Sequence, residues 1–126
     1  MYYAPMSSFR ALRGAIQIDT DSAVEIESAT QELVATMLDK NGLVPDDLIS
    51  VIFTMTPDLH SAFPAAAARA LGLGHVPLLC AAELDIEGAL PRVIRVLVHA
   101  ETDLALRDVQ HVYLRGAVAL RRDIAQ

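Results

Sequence analysis

The sequence of 126 residues is poor in cysteine and in aromatic side chains, with one cysteine, no tryptophan, three tyrosines and three phenylalanines. The single cysteine, Cys80, excludes a disulfide within the chain and favours a reducing compartment, so we predict a cytoplasmic location. No apolar run approaches the roughly 18 residues of a transmembrane helix. The first residues also lack the basic start and apolar stretch of a signal peptide. We therefore expect no membrane partner.

Lysine is almost absent, because nine of the ten basic residues are arginine and the other is Lys40. The formal net charge of −6 argues against a nucleic-acid partner. The excess of arginine over lysine has two explanations at this stage. It reflects the base composition of the genome, or the protein needs planar donors that bind carboxylates or phosphates in pairs of hydrogen bonds.

Motifs for common kinds of catalysis are missing as well. The sequence has no phosphate-binding glycine loop, no dinucleotide fingerprint and no nucleophile elbow. The histidines are not spaced as metal ligands, and no cysteine cluster accompanies them. They are His60, His75, His99 and His111. We therefore predict no metal and no cofactor, and we find little support for acid–base or nucleophilic chemistry.

Hydrophobic periodicity and turn residues predict five strands and two main helices in the order β-α-β-α-β-β-β. The strands are predicted at 9–18, 49–56, 75–80, 92–101 and 111–115. The first helix is predicted to begin after Asp21 or Ser22 and to end at Asn41-Gly42, and the second helix is predicted at 63–74. This order is typical of a single α/β (α+β) domain over 1–126, with a mixed sheet and helices on one face. Residues 1–7 are predicted to be a loose leader. Two helices leave much apolar sheet uncovered, so we expect the open face to meet another subunit.

An arginine interrupts the most apolar strand, "VIRVLVHA", at residues 93–100. Burial of an unpaired guanidinium would destabilise the folded state by roughly several kcal/mol, so Arg95 needs a negative partner. One alternative is a structural ion pair with Glu83, Asp85 or Glu87. The other is a cavity that receives an anionic ligand, and the pattern alone does not choose between them.

Further candidates lie at the ends of strands and at the start of the second helix. Cys80 and Glu83 lie where a strand becomes a loop, which is a common location for functional residues. Each candidate also has an ordinary explanation, as a core side chain or a solvated charge. The candidates besides Arg95 are Phe63, Arg69, Cys80, Glu83, Tyr113 and Arg121.

Five stretches together resemble the small trimeric α/β class of bacterial chorismate mutase. They are "LRGA", "TPDLHSAFPAAAAR", "VPLLCAAELD", "IRVLV" and "HVYLRGAVALR", and the resemblance runs from about residue 9 to residue 123. The resemblance implies a homotrimer with a pseudo-α/β-barrel fold and sites between subunits. It also implies an isomerase that rearranges chorismate to prephenate on the way to phenylalanine and tyrosine. Such a reaction needs no proton transfer, covalent intermediate or cofactor, which would account for the missing motifs.

The resemblance also implies a role for individual residues. Arg95 corresponds to an arginine that reaches the ether oxygen and the side-chain carboxylate of the substrate. Arg13 corresponds to an arginine that holds this carboxylate, with Tyr113 as its partner. Glu83 and Cys80 correspond to groups at the ring hydroxyl.

Other positions are implied to complete the site from outside this framework. Phe63 and Arg69 correspond to a wall supplied by the neighbouring subunit, with Arg69 near the ring carboxylate. Leu120 and Arg121 correspond to the start of a mobile tail, 120–126, that closes the site.

Two positions depart from the pattern of the class. A lysine of the second helix is replaced by Ala66, and a substrate-facing threonine is replaced by Leu79. The first change removes a positive charge near the mouth of the site and is expected to weaken binding or steering of the substrate. It leaves an alternative open, a non-catalytic or deaminase-like trimer that binds a small carboxylate.

Overall fold

The computed structural model describes residues 8–124, with side chains up to residue 121. The predicted leader and the last two residues of the predicted tail lie outside the described residues. The elements are β1 (Ser8–Gln17), α1 (Ala23–Lys40), β2 (Leu48–Met55), α2 (Pro64–Ala68), β3 (Leu78–Ala82), β4 (Val93–Thr102), β5 (Val112–Leu114) and α3 (Val118–Ile124). The predicted mixed five-stranded sheet is confirmed.

The sheet has the strand order β3-β2-β4-β1-β5, with β4 at its centre. Strand β4 is antiparallel to both β1 and β2, whereas β3 and β5 run parallel to their neighbours at the two edges. Arg95 pairs with Ala15 on β1 and with Thr54 on β2. The arginine singled out in the sequence therefore lies in the middle of the sheet.

Helices α1 and α2 cover one face of the sheet and bury the main core. Phe53 and Val96 lie under them, almost inaccessible to solvent. Helix α1 approaches β1 closely at Gly14, where a Cβ atom would collide with Met37 and press on Leu33. The glycine of "LRGA" therefore allows the helix to pack closely on the strand.

Both ends of α1 are held by side chains. The Ser22 hydroxyl accepts a hydrogen bond from the backbone N–H of Glu25 at 3.1 Å, as expected of an N-cap. At the other end, the buried Asn41 amide donates to the carbonyl oxygens of Met37 and Gln110 at 2.8 and 2.9 Å. Its oxygen also accepts from the Gln110 N–H at 2.8 Å. Asn41 thus ties the end of α1 to the approach to β5.

The second helix is shorter than the predicted 63–74. Helix α2 ends at Ala68 and continues as a π-helical turn over Arg69–Leu73. Gly72 has a φ of 92°, a left-handed conformation that interrupts the helix. The sequence pattern did not reveal this change of winding, which places Arg69 at the junction.

The end of the chain, predicted as a turn and tail, is helical over Val118–Ile124. Leu120 packs against the small buried cluster of Ala15, Val93 and Ala117. This contact lies on the face of the sheet opposite α1 and holds α3 against the sheet. The predicted mobility of 120–126 stays a prediction.

Within residues 8–124, no helix covers most of that opposite face. Ile52 and Leu97 lie there, partly accessible, and the exposed β3 residue Leu79 pairs with Ile52. No helix within residues 8–124 has the length and apolar character needed to cross a membrane.

Candidate active site

A cavity of about 290 Å³ opens on the uncovered face of the sheet. Four strands supply its polar side chains, Arg13 from β1, Thr54 from β2, Arg95 from β4 and Tyr113 from β5. Side chains alternate between the two faces of a strand, so these residues point away from the helices. Apolar residues such as Leu97 complete the lining. We call this the first cavity.

Arg95, which lines the first cavity, has an ion-pair partner. Its Nε lies 2.8 Å from Oε1 of Glu83, and the Thr54 hydroxyl donates to the same oxygen at 2.8 Å. The Arg95 side chain is 44% exposed and that of Glu83 only 15%. Of the three acids considered from the sequence, Glu83 is the partner. The pairing engages one edge of the guanidinium.

Glu83 is positioned by the backbone as well as by its carboxylate contacts. It directly follows β3, and its N–H donates to the carbonyl of Met55 at 3.0 Å. Both described side-chain contacts fall on Oε1, so Oε2 has no partner among residues 8–121. That oxygen remains able to accept a hydrogen bond from a ligand.

Arg13 supplies the second positive charge of the first cavity. Its side chain is exposed, and it forms no hydrogen bond or ion pair with any side chain or backbone group in the described part of the chain. The two guanidiniums that line the cavity outnumber the one carboxylate paired with them, so the site has a net positive charge. Such a site suits an anionic ligand, above all one with carboxylates.

The backbone of Arg13 is held by a histidine that the sequence analysis did not assign to the site. The Arg13 N–H donates to Nδ1 of His111 at 2.9 Å. Burial, followed by the positive charge of Arg13, lowers the pKa of His111. Its neutral form is therefore favoured. No sequence motif marks this contact, because the two residues are far apart along the chain.

Hydrogen bonds to Thr56 and Asp58 hold the backbone at the start of β4. Both residues belong to the stretch "TPDLHSAFPAAAAR". The Asp58 carboxylate accepts from the backbone N–H of Arg92 at 3.0 and 3.2 Å. Arg92 has a φ of 53°, which is uncommon for a residue with a side chain. The Thr56 hydroxyl accepts from the N–H of Val93 at 3.0 Å. These contacts fix the backbone shortly before Arg95.

A second cavity, of about 440 Å³, lies at the β3 edge of the sheet. It is lined by Phe63, Ala66, Arg69, Leu79 and Cys80, among others. Phe63 is 72% exposed and Leu79 is 61% exposed, which is unusual for large apolar side chains. Cys80 is half-buried and packs against the core. None of these residues lines the first cavity.

The segment that leads to Phe63 is attached to the start of α1. The Asp21 carboxylate accepts from the N–H groups of His60 and Ser61 at 3.0 and 3.1 Å. Partial burial raises the pKa of Asp21, but the hydrogen bonds from His60 and Ser61 outweigh it and lower the pKa overall. This carboxylate therefore stays ionised and holds the segment in place.

The two predicted tail residues lie at the end of the open face. Leu120 is half-buried beside Ala15, and Ala15 also lines the first cavity. Arg121 is exposed, one residue further along α3. Within residues 8–124, no cluster of three or more potential metal ligands occurs.

The sequence profile described as Chorismate mutase type I matches residues 9–124. The chain belongs to this family. It is 52% identical over 116 residues to chorismate mutase AroH of Thermus thermophilus, covering 91% of this chain and 95% of the relative. It is 38% identical over 117 residues to chorismate mutase AroH of Bacillus subtilis strain 168, covering 92% of each.

A solved structure supports the same family. The chorismate mutase from Clostridium thermocellum superposes with a TM-score of 0.86 and 47% sequence identity. The match covers 87% of this chain and 98% of that chain. The chorismate mutase-like α+β fold of the single chain is confirmed, whereas the trimer and its pseudo-α/β-barrel stay predictions.

The structure divides the predicted site residues of this chorismate mutase family member into two groups. Arg13, Arg95 and Tyr113 line the first cavity, and Glu83 joins them through its ion pair with Arg95. The remaining residues lie at the second cavity or at the end of the open face. They are Phe63, Arg69, Leu79 and Cys80 at the second cavity, and Leu120 and Arg121 in α3.

Proposed function

We propose that the protein is a chorismate mutase that converts chorismate to prephenate at the first cavity. The observation that carries this proposal is the meeting of two arginines with a half-buried glutamate on the open sheet face. Membership of the type I family supports it. Arginines match a dicarboxylate substrate, and the cavity contains no group in a typical acid–base or nucleophilic arrangement.

The reaction is an intramolecular rearrangement in which one bond breaks as another forms. The ether C–O bond of chorismate breaks, and a C–C bond forms between the enolpyruvyl side chain and the ring. Three electron pairs shift around a six-membered ring of atoms, and no proton enters or leaves. The enzyme therefore has to hold the substrate in a compact conformation and stabilise negative charge that develops on the ether oxygen.

Arg95 is suited to stabilise this oxygen. Glu83 engages its Nε, which orients the guanidinium and leaves the terminal nitrogens for the ligand. Arg13, with Tyr113 beside it, is proposed to bind the side-chain carboxylate. The free oxygen of Glu83 is proposed to accept a hydrogen bond from the ring hydroxyl. Cys80, which lines the second cavity, is proposed to contact that end of the substrate from the neighbouring subunit.

We propose that the second cavity completes the site of a neighbouring subunit in a homotrimer. Support comes from the exposure of Phe63 and Leu79 at the β3 edge and from the uncovered apolar face. Arg69 would then contribute a third guanidinium, near the ring carboxylate. Ala66, without the family lysine, leaves this wall less positive. Leu120 and Arg121 are proposed to close the site.

The proposed product, prephenate, leads to phenylalanine and tyrosine. We propose that the enzyme needs no metal and no cofactor. We also propose that it works in the cytoplasm. Support for the location comes from the single cysteine.

The decisive experiment incubates purified protein with chorismate and follows the loss of its ultraviolet absorbance, with prephenate identified as the product. We expect turnover that is unchanged by a chelator. Sedimentation at micromolar concentration should give a trimer, and full activity in a monomer would contradict the shared site. Binding of chorismate without turnover would favour the non-catalytic alternative, which the loss of charge at Ala66 supports.

A further inference from the structure

The first cavity depends on a very short edge strand. Strand β5 has three residues, and it pairs with β1 through Gly14 with Val112, Ala15 with Tyr113, and Ile16 with Leu114. An edge strand of this length has few backbone hydrogen bonds to hold it, yet it carries Tyr113. Its position has to be secured by contacts outside the strand.

Two side chains supply these contacts at the entrance to β5. Asn41 binds both backbone groups of Gln110 from the end of α1. The next residue, His111, accepts the Arg13 N–H on its Nδ1 at 2.9 Å. The imidazole thereby extends the contact of β5 with β1 by one residue, to the arginine that faces the cavity.

We propose that His111 is a positioning residue whose neutral ring aligns Arg13 and Tyr113 for the substrate. One hydrogen bond connects the backbone of the arginine with the segment that carries the tyrosine two residues later. The inference rests on the proposed function of the first cavity, since both aligned residues are assigned there to the same carboxylate.

The contact requires one protonation state of the ring. A backbone N–H can only donate, so Nδ1 of His111 must be the unprotonated nitrogen and the hydrogen of the neutral ring must lie on Nε2. Protonation would place a donor against the Arg13 N–H and a second positive charge beside the arginine. The bond is therefore lost when His111 becomes charged.

The surroundings favour the neutral ring near neutral pH. Arg13 on β1 is the charged residue that faces His111, while Asn41, from the end of α1, is uncharged. No carboxylate among the described residues forms an ion pair with His111. Burial and then Arg13 lower its pKa, so the neutral form should persist until the pH falls below the ordinary value of about 6.5.

Two substitutions separate the hydrogen bond from the charge. His111→Asn retains an acceptor, because the amide oxygen is bonded to Cγ just as Nδ1 is, and this acceptor does not titrate. His111→Ala removes the acceptor. His75→Asn is the matched control, since His75 lies at the surface beside Asp46, away from both cavities. Chorismate kinetics are measured for all four proteins from pH 5 to pH 8, and trimers are verified by sedimentation.

We expect His111→Ala to raise KM about tenfold at pH 7.5, with kcat within about twofold of the wild type. His111→Asn should match the wild-type KM at pH 7.5. In the wild type and in His75→Asn, protonation of His111 at low pH should contribute to an increase in KM. His111→Asn should lack this contribution, because its amide does not titrate. An unchanged KM in His111→Ala, or an undiminished acid rise in His111→Asn, would overturn the proposal. If His111→Ala does not fold, the comparison of the wild type with His111→Asn still decides.

A measurement without substrate separates this inference from the proposed function. Nitrogen NMR of the wild type should show Nδ1 of His111 unprotonated and Nε2 protonated at pH 7.5. The Arg13 amide should exchange slowly with solvent in the wild type and in His111→Asn. The opposite tautomer or a rapidly exchanging amide would overturn the positioning role even in an active enzyme. Wild-type protein without turnover would instead refute the proposed function alone.

Discussion

Replacement of Arg95 by lysine tests whether this arginine acts on the substrate or only stabilises the fold. The substitution retains the positive charge, so an ion pair with Glu83 can re-form. It removes the planar fork that binds Glu83 through Nε and leaves the terminal nitrogens for a ligand. A lysine that pairs with Glu83 has no second edge to offer the ether oxygen.

The magnitude follows from the lost donor. Removal of one preorganised donor at a developing negative charge lowers kcat by about 10²–10³, equivalent to about 2.7–4 kcal/mol. The effect on folding should be small, since Arg95 is 44% exposed and solvent screens its pairing with Glu83. We expect a change in unfolding free energy below about 1 kcal/mol for Arg95→Lys.

The assay combines initial rates on chorismate with thermal unfolding and sedimentation. Arg107→Lys is the matched control, because Arg107 is exposed and lies outside both cavities, and its kinetics should equal those of the wild type. A folded Arg95→Lys trimer with nearly normal kcat would refute the proposed role. A lower melting temperature with unchanged kcat would identify Arg95 as a structural charge.

Three further predictions concern the tail and the packing of α1. Truncation after Ala119 should raise KM more than it lowers kcat, because Arg121 is proposed to bind substrate as part of a cover; the reverse pattern in a folded trimer would assign the tail to catalysis. Asn41→Ala should lower the unfolding free energy by about 1–3 kcal/mol, measured by denaturant unfolding, since it removes a buried hydrogen bond to the Met37 carbonyl and two partly buried ones to Gln110. Gly14→Ala should lower the unfolding free energy by about 1–3 kcal/mol through its collision with Met37 and Leu33, and unchanged stability would show that the ends of these side chains move aside.

The order of the elements and the nature of the sheet were predictable from the sequence, because both depend on local patterns. Alternating and continuous apolar runs located all five strands, and the Ser22 and Asn41-Gly42 signals located both ends of α1. The conflict between Arg95 and its apolar strand also marked the centre of the proposed site. A charge within an otherwise buried segment is visible in the sequence, since its energetic cost is local.

The choice of Glu83 among three acids was decided only by the tertiary structure. The end of β3 and the register of β2 against β4 bring Glu83 and Thr54 to the same guanidinium. Such contacts join residues far apart in the chain, and periodicity contains no information about them.

The winding of α2 and the contact of His111 with Arg13 were likewise decided by tertiary structure. A π-helical turn depends on how the helix fits its neighbours, and its sequence differs little from that of an α-helix. The His111 contact arises because an edge strand of three residues lies parallel to β1 in one register. The sequence by itself determined which side chains could perform the chemistry, and the packing of the sheet decided which of them meet, because proximity across strands depends on register and not on residue type.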